Sequence, residues 1–297
     1  MSIGHHHHHN KSDSDTSLLV AVAINIVLTL AQVIGGIISG SLSLIADALH
    51  NLSDATALGI AIFARAISRK PADEFKTFGY QRAEVVAALI NLTLLITISF
   101  YLIYEAVWRI FEPQIITGWI IVLVAGIALI VDIVTALITY KRSKSSINMK
   151  AAFLHNLSDA LASIGVIFAG TLILLYGWHW VDTLVTFLIS GFILLQGLIL
   201  LPKTIHLLME GTPEGLSTEE IKIAIEKIKD VQDVHHIHIW NLDEHRIALE
   251  AHVVVTSDDF KEVELIKYRL KELLKNKFNI SHSTLEFENL DTNCVEN

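Results

Sequence analysis

The chain has 297 residues, of which 52% are apolar and only 18% charged, with a mean hydropathy of +0.52. Soluble chains carry nearer about 25% charged residues, so the shortage of charge argues against an ordinary cytosolic enzyme. The net charge of −9 gives no reason to expect nucleic acid, and the single cysteine, Cys294, excludes an intrachain disulfide and a cysteine-based zinc finger.

Residues 1–17 are polar and contain the run His5 to His9, which reads either as a purification tag or as a native metal-gathering segment and is given no mechanistic role. No signal peptide is visible ahead of the first apolar run. Six apolar runs follow, at about 18–39, 42–66, 82–108, 116–140, 151–175 and 180–201. Runs of more than about 18 residues with few charges mark membrane-spanning helices. Arg69, Lys70 and Lys76 follow the second run, and Lys141, Arg142, Lys144 and Lys150 follow the fourth; the alternate loops hold only Arg109. Cytosolic loops retain such residues, so both termini are expected in the cytosol of a cell whose inner membrane the chain crosses.

After Leu201 the texture turns charged. Ser217-Thr218-Glu219-Glu220 is a capping box that opens an amphipathic helix with Ile221, Ile225 and Ile228 on one face. Two β-rich runs follow, 234–240 and 247–255, separated by Asp243-Glu244-His245; then a helix over 260–276 and a strand over 283–287. The order αββαβ predicts a small two-layer α+β unit with helices on one side of a mixed sheet. The expected organisation is a tail (1–17), an α-helical polytopic membrane domain of six transmembrane helices (18–202), a cytosolic regulatory or dimerising α+β domain (203–290) and a short tail (291–297). Residues 1–202 carry 11 basic and 12 acidic side chains, net −1, against 11 and 19, net −8, in residues 203–297.

The chemistry lies in a repeat. Leu49-His50-Asn51-Leu52-Ser53-Asp54-Ala55 in span two recurs as Leu154-His155-Asn156-Leu157-Ser158-Asp159-Ala160 in span five, 105 positions later. His at i and Asp at i+4 lie on one helical face, so each motif offers an imidazole and a carboxylate in the same direction. Two such helices facing one another present two nitrogens and two oxygens, a donor set that zinc accepts. Donor type alone also admits cadmium, cobalt and nickel. Counting about 1.5 Å per residue puts Asp54 and Asp159 each roughly 12 Å from the inner side of the bilayer, a depth that lets them meet. The bland alternative, polar groups joining helices, does not require four ionisable side chains, and an intramembrane Asp costs about 2.5–3.5 kcal/mol even on the lenient insertion scale. Asp47, one turn before His50, reads as a pathway residue or an outer-mouth polar group. Asp132, Glu105 and Asp182 lack a partner motif and are given packing, proton-path or interface roles; Asn25, Gln32 and Gln196 read as interhelical hydrogen-bonders.

These motifs, with Phe78-Gly79-Tyr80-Gln81-Arg82 entering span three, Leu208-Met209-Glu210-Gly211-Thr212-Pro213 after span six and Val234-His235-His236-Ile237-His238-Ile239-Trp240, resemble the cation diffusion facilitator family over roughly residues 17–290. The resemblance implies a homodimeric zinc/proton antiporter, in the lipid bilayer, that exports metal from the cytosol and carries a ferredoxin-like cytosolic domain. It implies Zn2+ as substrate and regulatory ion, with the transport site at His50, Asp54, His155 and Asp159. By the same resemblance His235, His252 and Glu288 match zinc-binding positions of the cytosolic domain, with His282 and Glu286 as further ligands; the alternative is surface histidines beside an acidic strand. Some members hold a second metal in the loop between spans two and three. Here Lys76 and Tyr80 stand where those histidines would be, and lysine has no lone pair at neutral pH, so no loop site is expected despite Asp73 and Glu74.

The expected function is efflux of divalent zinc, with cadmium or cobalt also admitted, coupled to protons by alternating access. Binding requires neutral imidazole and ionised carboxylate, so metal and protons compete for one site. Two other classes remain: a membrane metal sensor that moves nothing, and an intramembrane metallohydrolase, which would need the missing His-Glu-x-x-His.

Overall fold

The structure, a computed structural model, describes residues 26–143, 147–243 and 246–289. The His5–His9 run, Asn25, the start of span one, Lys144, Glu244, His245 and the tail 291–297 lie outside the described residues. The chain divides into two units, one of Met1–Ile60 with Asn91–Ile199 and one of Ala61–Ile90 with Leu200–Asn297.

The first unit is built from helices α1 (Ile26–Ser39), α4 (Gly118–Ser143) and α5 (Ile147–Tyr176) and from most of α2 (Leu42–Ser68), α3 (Ala83–Phe111) and α6 (Trp180–Leu208), whose residues 61–68, 83–90 and 200–208 fall in the second. Among the described residues four segments are long and apolar enough to cross a membrane: α3, Gly118–Ile138 of α4, Phe153–Tyr176 of α5, and α6. Helix α2 is as long but carries Asp47, His50, Asp54 and Arg65, which lower its hydropathy. Large apolar side chains such as Ile130, Leu137, Phe168 and Leu188 are exposed, the inverse of a soluble protein. The core is made of Leu44, Leu102, Ala106, Ile121, Ala125, Val166, Ala169 and Ile173. Small residues let α4 and α5 approach closely. A Cβ at Gly118 would stand 2.7 Å from the Gly170 carbonyl oxygen, and one at Gly170 would meet Ile121 at 2.8 Å.

The start of α2 is fixed by a residue far away in sequence. Asp182, fully buried in the first turn of α6, accepts hydrogen bonds from the Ser41 hydroxyl (2.5 Å), the Ser43 hydroxyl (2.6 Å) and the Leu42 N–H (2.8 Å). A helix N-terminus leaves four N–H groups without intrahelical partners and carries partial positive charge, so a borrowed carboxylate satisfies both needs. The preceding turn is held by Arg109, whose Nη1 donates to the Gly40 carbonyl at 2.5 Å and whose Nε pairs with Glu105 at 3.2 Å.

In the second unit, α7 (Thr218–Glu226) begins at Ser217, whose hydroxyl accepts the Glu220 N–H as the capping box predicts. Strands β1 (Val231–Asn241), β2 (Ile247–Val255) and β3 (Ile280–Asn289) form one sheet in that order, β1 antiparallel and β3 parallel to β2. Helix α8 (Phe260–Phe278) connects the parallel pair and ends at Asn279 in the left-handed region. One cluster contains Ile221 and Ile225 of α7, Ile266, Leu270 and Leu274 of α8, and Val234, Ile239, Leu249, Ala251 and Val253 of the sheet, so both helices cover the same face. The mixed sheet and the αββαβ order follow the sequence expectation. Among the described residues this is the ferredoxin-like βαββαβ arrangement without its leading strand.

Candidate metal centre

The repeat brings its four side chains together in the first unit. His50 Nε2 lies 3.4 Å from Asp159 Oδ1 and 3.6 Å from Asp54 Oδ2. His155 Nε2 lies 3.5 Å from Asp54 Oδ2 and 3.5 Å from Asp159 Oδ2. Nitrogen and oxygen alternate around the array, each imidazole reaching the carboxylate of its own helix and that of the other. These spacings are long for hydrogen bonds and close to the donor separations around a shared ion, and the ligand atoms of His50, Asp54 and Asp159 all lie within 4.8 Å of one another. Zinc bound at about 2.0–2.1 Å sets its donors about 3.3 Å apart, the edge of the tetrahedron. Asp54 Oδ2 and Asp159 Oδ1, which face the array, are buried without a hydrogen-bond partner in the protein. Buried polar atoms are rarely left so unless a ligand satisfies them. Exposure is graded: the Asp159 side chain is 10% exposed and His155 48%.

The surrounding polar residues support this array. Gln32 donates from Nε2 to Asp47 Oδ2 at 2.6 Å and accepts from Asn51 Nδ2 at 3.1 Å, which ties α1 to the motif-bearing face of α2. Asp47 is buried and its second oxygen has no protein partner. Asp132 on α4 accepts from Ser163 on α5 at 3.1 Å. Gln196 is exposed on α6.

A second cluster lies on the sheet face opposite the helices. His252 Nδ1 stands 2.7 Å from Glu288 Oε1, His235 Nε2 3.3 Å from Glu288 Oε2, and His252 Nε2 3.5 Å from Glu286 Oε2. Ligand atoms of His235, His252 and Glu288 can all lie within 4.8 Å of one another. Four of the five sequence-predicted cytosolic residues are therefore neighbours. The fifth, His282, packs its ring edge-on against Phe78 at 5.7 Å.

Sequence reasoning missed His236. Between the pairs His235↔His252 and His238↔Glu250, β1 advances three residues while β2 advances two, a β-bulge. His236 occupies it with φ +49°. Its ring centroid is 5.3 Å from that of His235 and 5.0 Å from that of His252. The available signal is the alternation Val234, His235, then Ile237, His238, Ile239, which is regular only if His236 is the extra residue. Asp233 supports the cluster from behind, 3.3 Å from His235 Nδ1. Burial raises the Asp233 pKa, but the Lys222 ammonium at 3.1 Å, the Val234 N–H and His235 outweigh it and hold the carboxyl below its ordinary value.

In the loop between α2 and α3, Asp73 accepts the Tyr80 hydroxyl (2.7 Å) and the N–H groups of Phe75 and Lys76. The Tyr80 bond, with those amides, holds the Asp73 carboxyl below the usual range. The stretches 78–82 and 208–213 meet through Arg82 and Glu210 at 3.0 Å.

Comparison with known proteins points the same way. Residues 18–209 match the family described as the cation efflux transmembrane domain, and residues 213–290 that described as the cation efflux protein, cytoplasmic domain. The metal cation efflux system protein CzcD of Cupriavidus metallidurans is 38% identical over 87% of this chain and 82% of its own length. The cadmium, cobalt and zinc/H(+)-K(+) antiporter of Bacillus subtilis is 37% identical over 86% of this chain and 83% of its own. The zinc transporter ZitB of Pectobacterium atrosepticum is 36% identical over 89% and 82%.

Proposed function

This chain belongs to the cation efflux family, and from that premise we propose that it exports divalent zinc from the cytosol in exchange for protons, by alternating access at His50, Asp54, His155 and Asp159. At the coarser level it is a multi-pass membrane transporter of metal cations and not an enzyme. The observation that carries the finer reading is the alternating array of two imidazoles and two carboxylates, spaced at 3.4–3.6 Å. Cadmium and cobalt suit the same donors.

Ligand acid-base chemistry supplies the coupling. Protonation of either imidazole removes its lone pair, and protonation of either carboxylate removes its charge, so protons arriving at the array expel the ion. Alternate opening to the two sides makes that competition vectorial. In this reading the chain is a homodimer in the inner membrane with both termini cytosolic. The strand cluster of His235, His252, Glu286 and Glu288, enlarged by His236, binds a regulatory metal. Such a metal biases transport only if its affinity differs between the two conformations.

Zinc flux into proteoliposomes under an imposed proton gradient tests the proposal. His50→Ala or Asp159→Ala is expected to abolish flux while the purified protein keeps its helical content. Flux retained in either variant refutes the transport site, and the absence of gradient-driven flux in the parent favours a sensor that moves nothing.

A further inference from the structure

A cavity of 590 Å³ in the second unit is lined by basic side chains. It is lined by the end of α2, the loop before α3, Leu242, Arg246 and the start of β3. Arg69, Lys70, Arg246 and His282 line it, with Thr77 and Ser281 as neutral hydrogen-bonding groups. Among the described residues no carboxylate lines it.

The wall is already organised. Arg246 donates from Nε to Asp243 at 2.5 Å and from its other arm to Gln81, so its guanidinium is fixed and part of its charge is answered outside the cavity. Lys70 lies over the Tyr80 ring, 5.8 Å from its centroid. Asp73, the nearest loop carboxylate in sequence, is committed to Tyr80 and two backbone amides. Gly79, at φ +83°, closes the loop through its N–H to the Lys76 carbonyl. Cationic side chains beside hydroxyls, with no competing carboxylate, form a site for a tetrahedral oxyanion.

Two aromatic residues indicate where that anion comes from. Phe75 is 79% exposed and Phe78 57%, on the same loop that joins two helices of the membrane domain. Exposed apolar rings beside lysine and arginine at the end of a membrane helix suit the boundary between headgroups and acyl chains. Basic pockets at that level hold anionic headgroups. We propose that this cavity binds the phosphate of an anionic phospholipid headgroup, with Arg69 and Lys70 as the principal cations and Phe75 against the acyl chains.

The test uses the full-length protein in detergent, incubated with phosphatidylglycerol, phosphatidylcholine or inorganic phosphate, with bound lipid counted by native mass spectrometry. Retention of phosphatidylglycerol over phosphatidylcholine is expected, falling about tenfold in Arg69→Gln/Lys70→Gln, as befits lost charge-assisted hydrogen bonds. The charge-preserving Arg69→Lys/Lys70→Arg keeps most of it, which separates loss of charge from loss of fold. Equal retention of the two lipids, or unchanged phosphatidylglycerol binding in the glutamine variant, overturns the proposal. Inorganic phosphate that binds at the same residues while the lipid does not assigns the cavity to a soluble anion and overturns the lipid occupant.

Discussion

The two clusters of imidazole and carboxylate are built from the same chemical groups but held by different backbones. In the membrane unit the donors are stacked by helical periodicity, His50 over Asp54 and His155 over Asp159, and their spacing depends on how α2 and α5 meet. In the second unit they hang from neighbouring strands, His235 opposite His252 and Glu286 opposite His252 on the other side, so the spacing is set by the sheet register. Two packed helices can slide or rock, whereas a sheet register changes only by breaking its ladder. The first arrangement suits a site that must form and dissolve in every cycle, the second a site that stays assembled.

The largest effect expected from this contrast is in transport. Asp159→Ala removes a donor shared by both imidazoles and is expected to lower zinc flux by more than about a hundredfold, beyond the loss typical for a group that merely supports a ligand. His252→Ala, at the centre of the strand cluster, is expected to leave flux within a few-fold of the parent at saturating zinc. Parallel flux measurements decide it: equal loss in both variants would make the strand cluster part of the transport path and end the distinction.

How much of this was legible in the sequence follows from the same contrast. The seven-residue repeat and a period of 3.6 sufficed to put His50 with Asp54 and His155 with Asp159, because a helix keeps its side-chain directions whatever it packs against, while the meeting of the two faces is a matter of how α2 and α5 pack. The αββαβ order and the capping at Ser217 were equally local and readable. Asp182 was not, since its partners Ser41 and Ser43 are about 140 residues earlier and no local pattern links a carboxylate in α6 to the open N-terminus of α2. His236 was hidden for another reason. Strict alternation puts neighbours on opposite faces, and only the bulge, a tertiary feature of the β1–β2 pair, returns it to the side of His235. His282 is a further ligand only by the family resemblance, and its ring stands edge-on to Phe78.

A second test asks whether the helix-held site depends on remote anchoring. Asp182→Ala leaves two buried hydroxyls and the Leu42 N–H without their acceptor, and lost caps and unsatisfied donors together cost about 2–3 kcal/mol. Thermal unfolding in detergent should show that loss. Zinc binding by the membrane site should weaken with it, while binding by the strand cluster stays unchanged. Asp182→Asn, which keeps an acceptor oxygen, should recover about half of the stability. A variant that destabilises both sites equally would show that the α2 anchor is not specific to the membrane site.

The smallest expected effect is also the most discriminating, because it concerns a residue that supplies a ring without being required for the register. His236 is the inserted residue of the bulge, and the strand on either side already alternates correctly, with Val234 and Ile239 in the core and His235 and His238 on the opposite face. His236→Ala therefore removes one imidazole from a set of three while leaving His235, His252 and Glu288 where they are. Zinc affinity of the strand cluster, measured by calorimetry on a background of His50→Ala, is expected to fall about tenfold, within the range for lost supporting groups at metal sites. Replacement by glycine, which suits φ +49° better, should give the same affinity loss with a slightly more stable strand. If both substitutions leave affinity unchanged, the third ring is a consequence of the bulge and the strand site is complete with two histidines and a glutamate. If affinity falls only in the alanine variant, backbone strain and not the imidazole is responsible, and a register-held site would prove as sensitive to its backbone as the helix-held one.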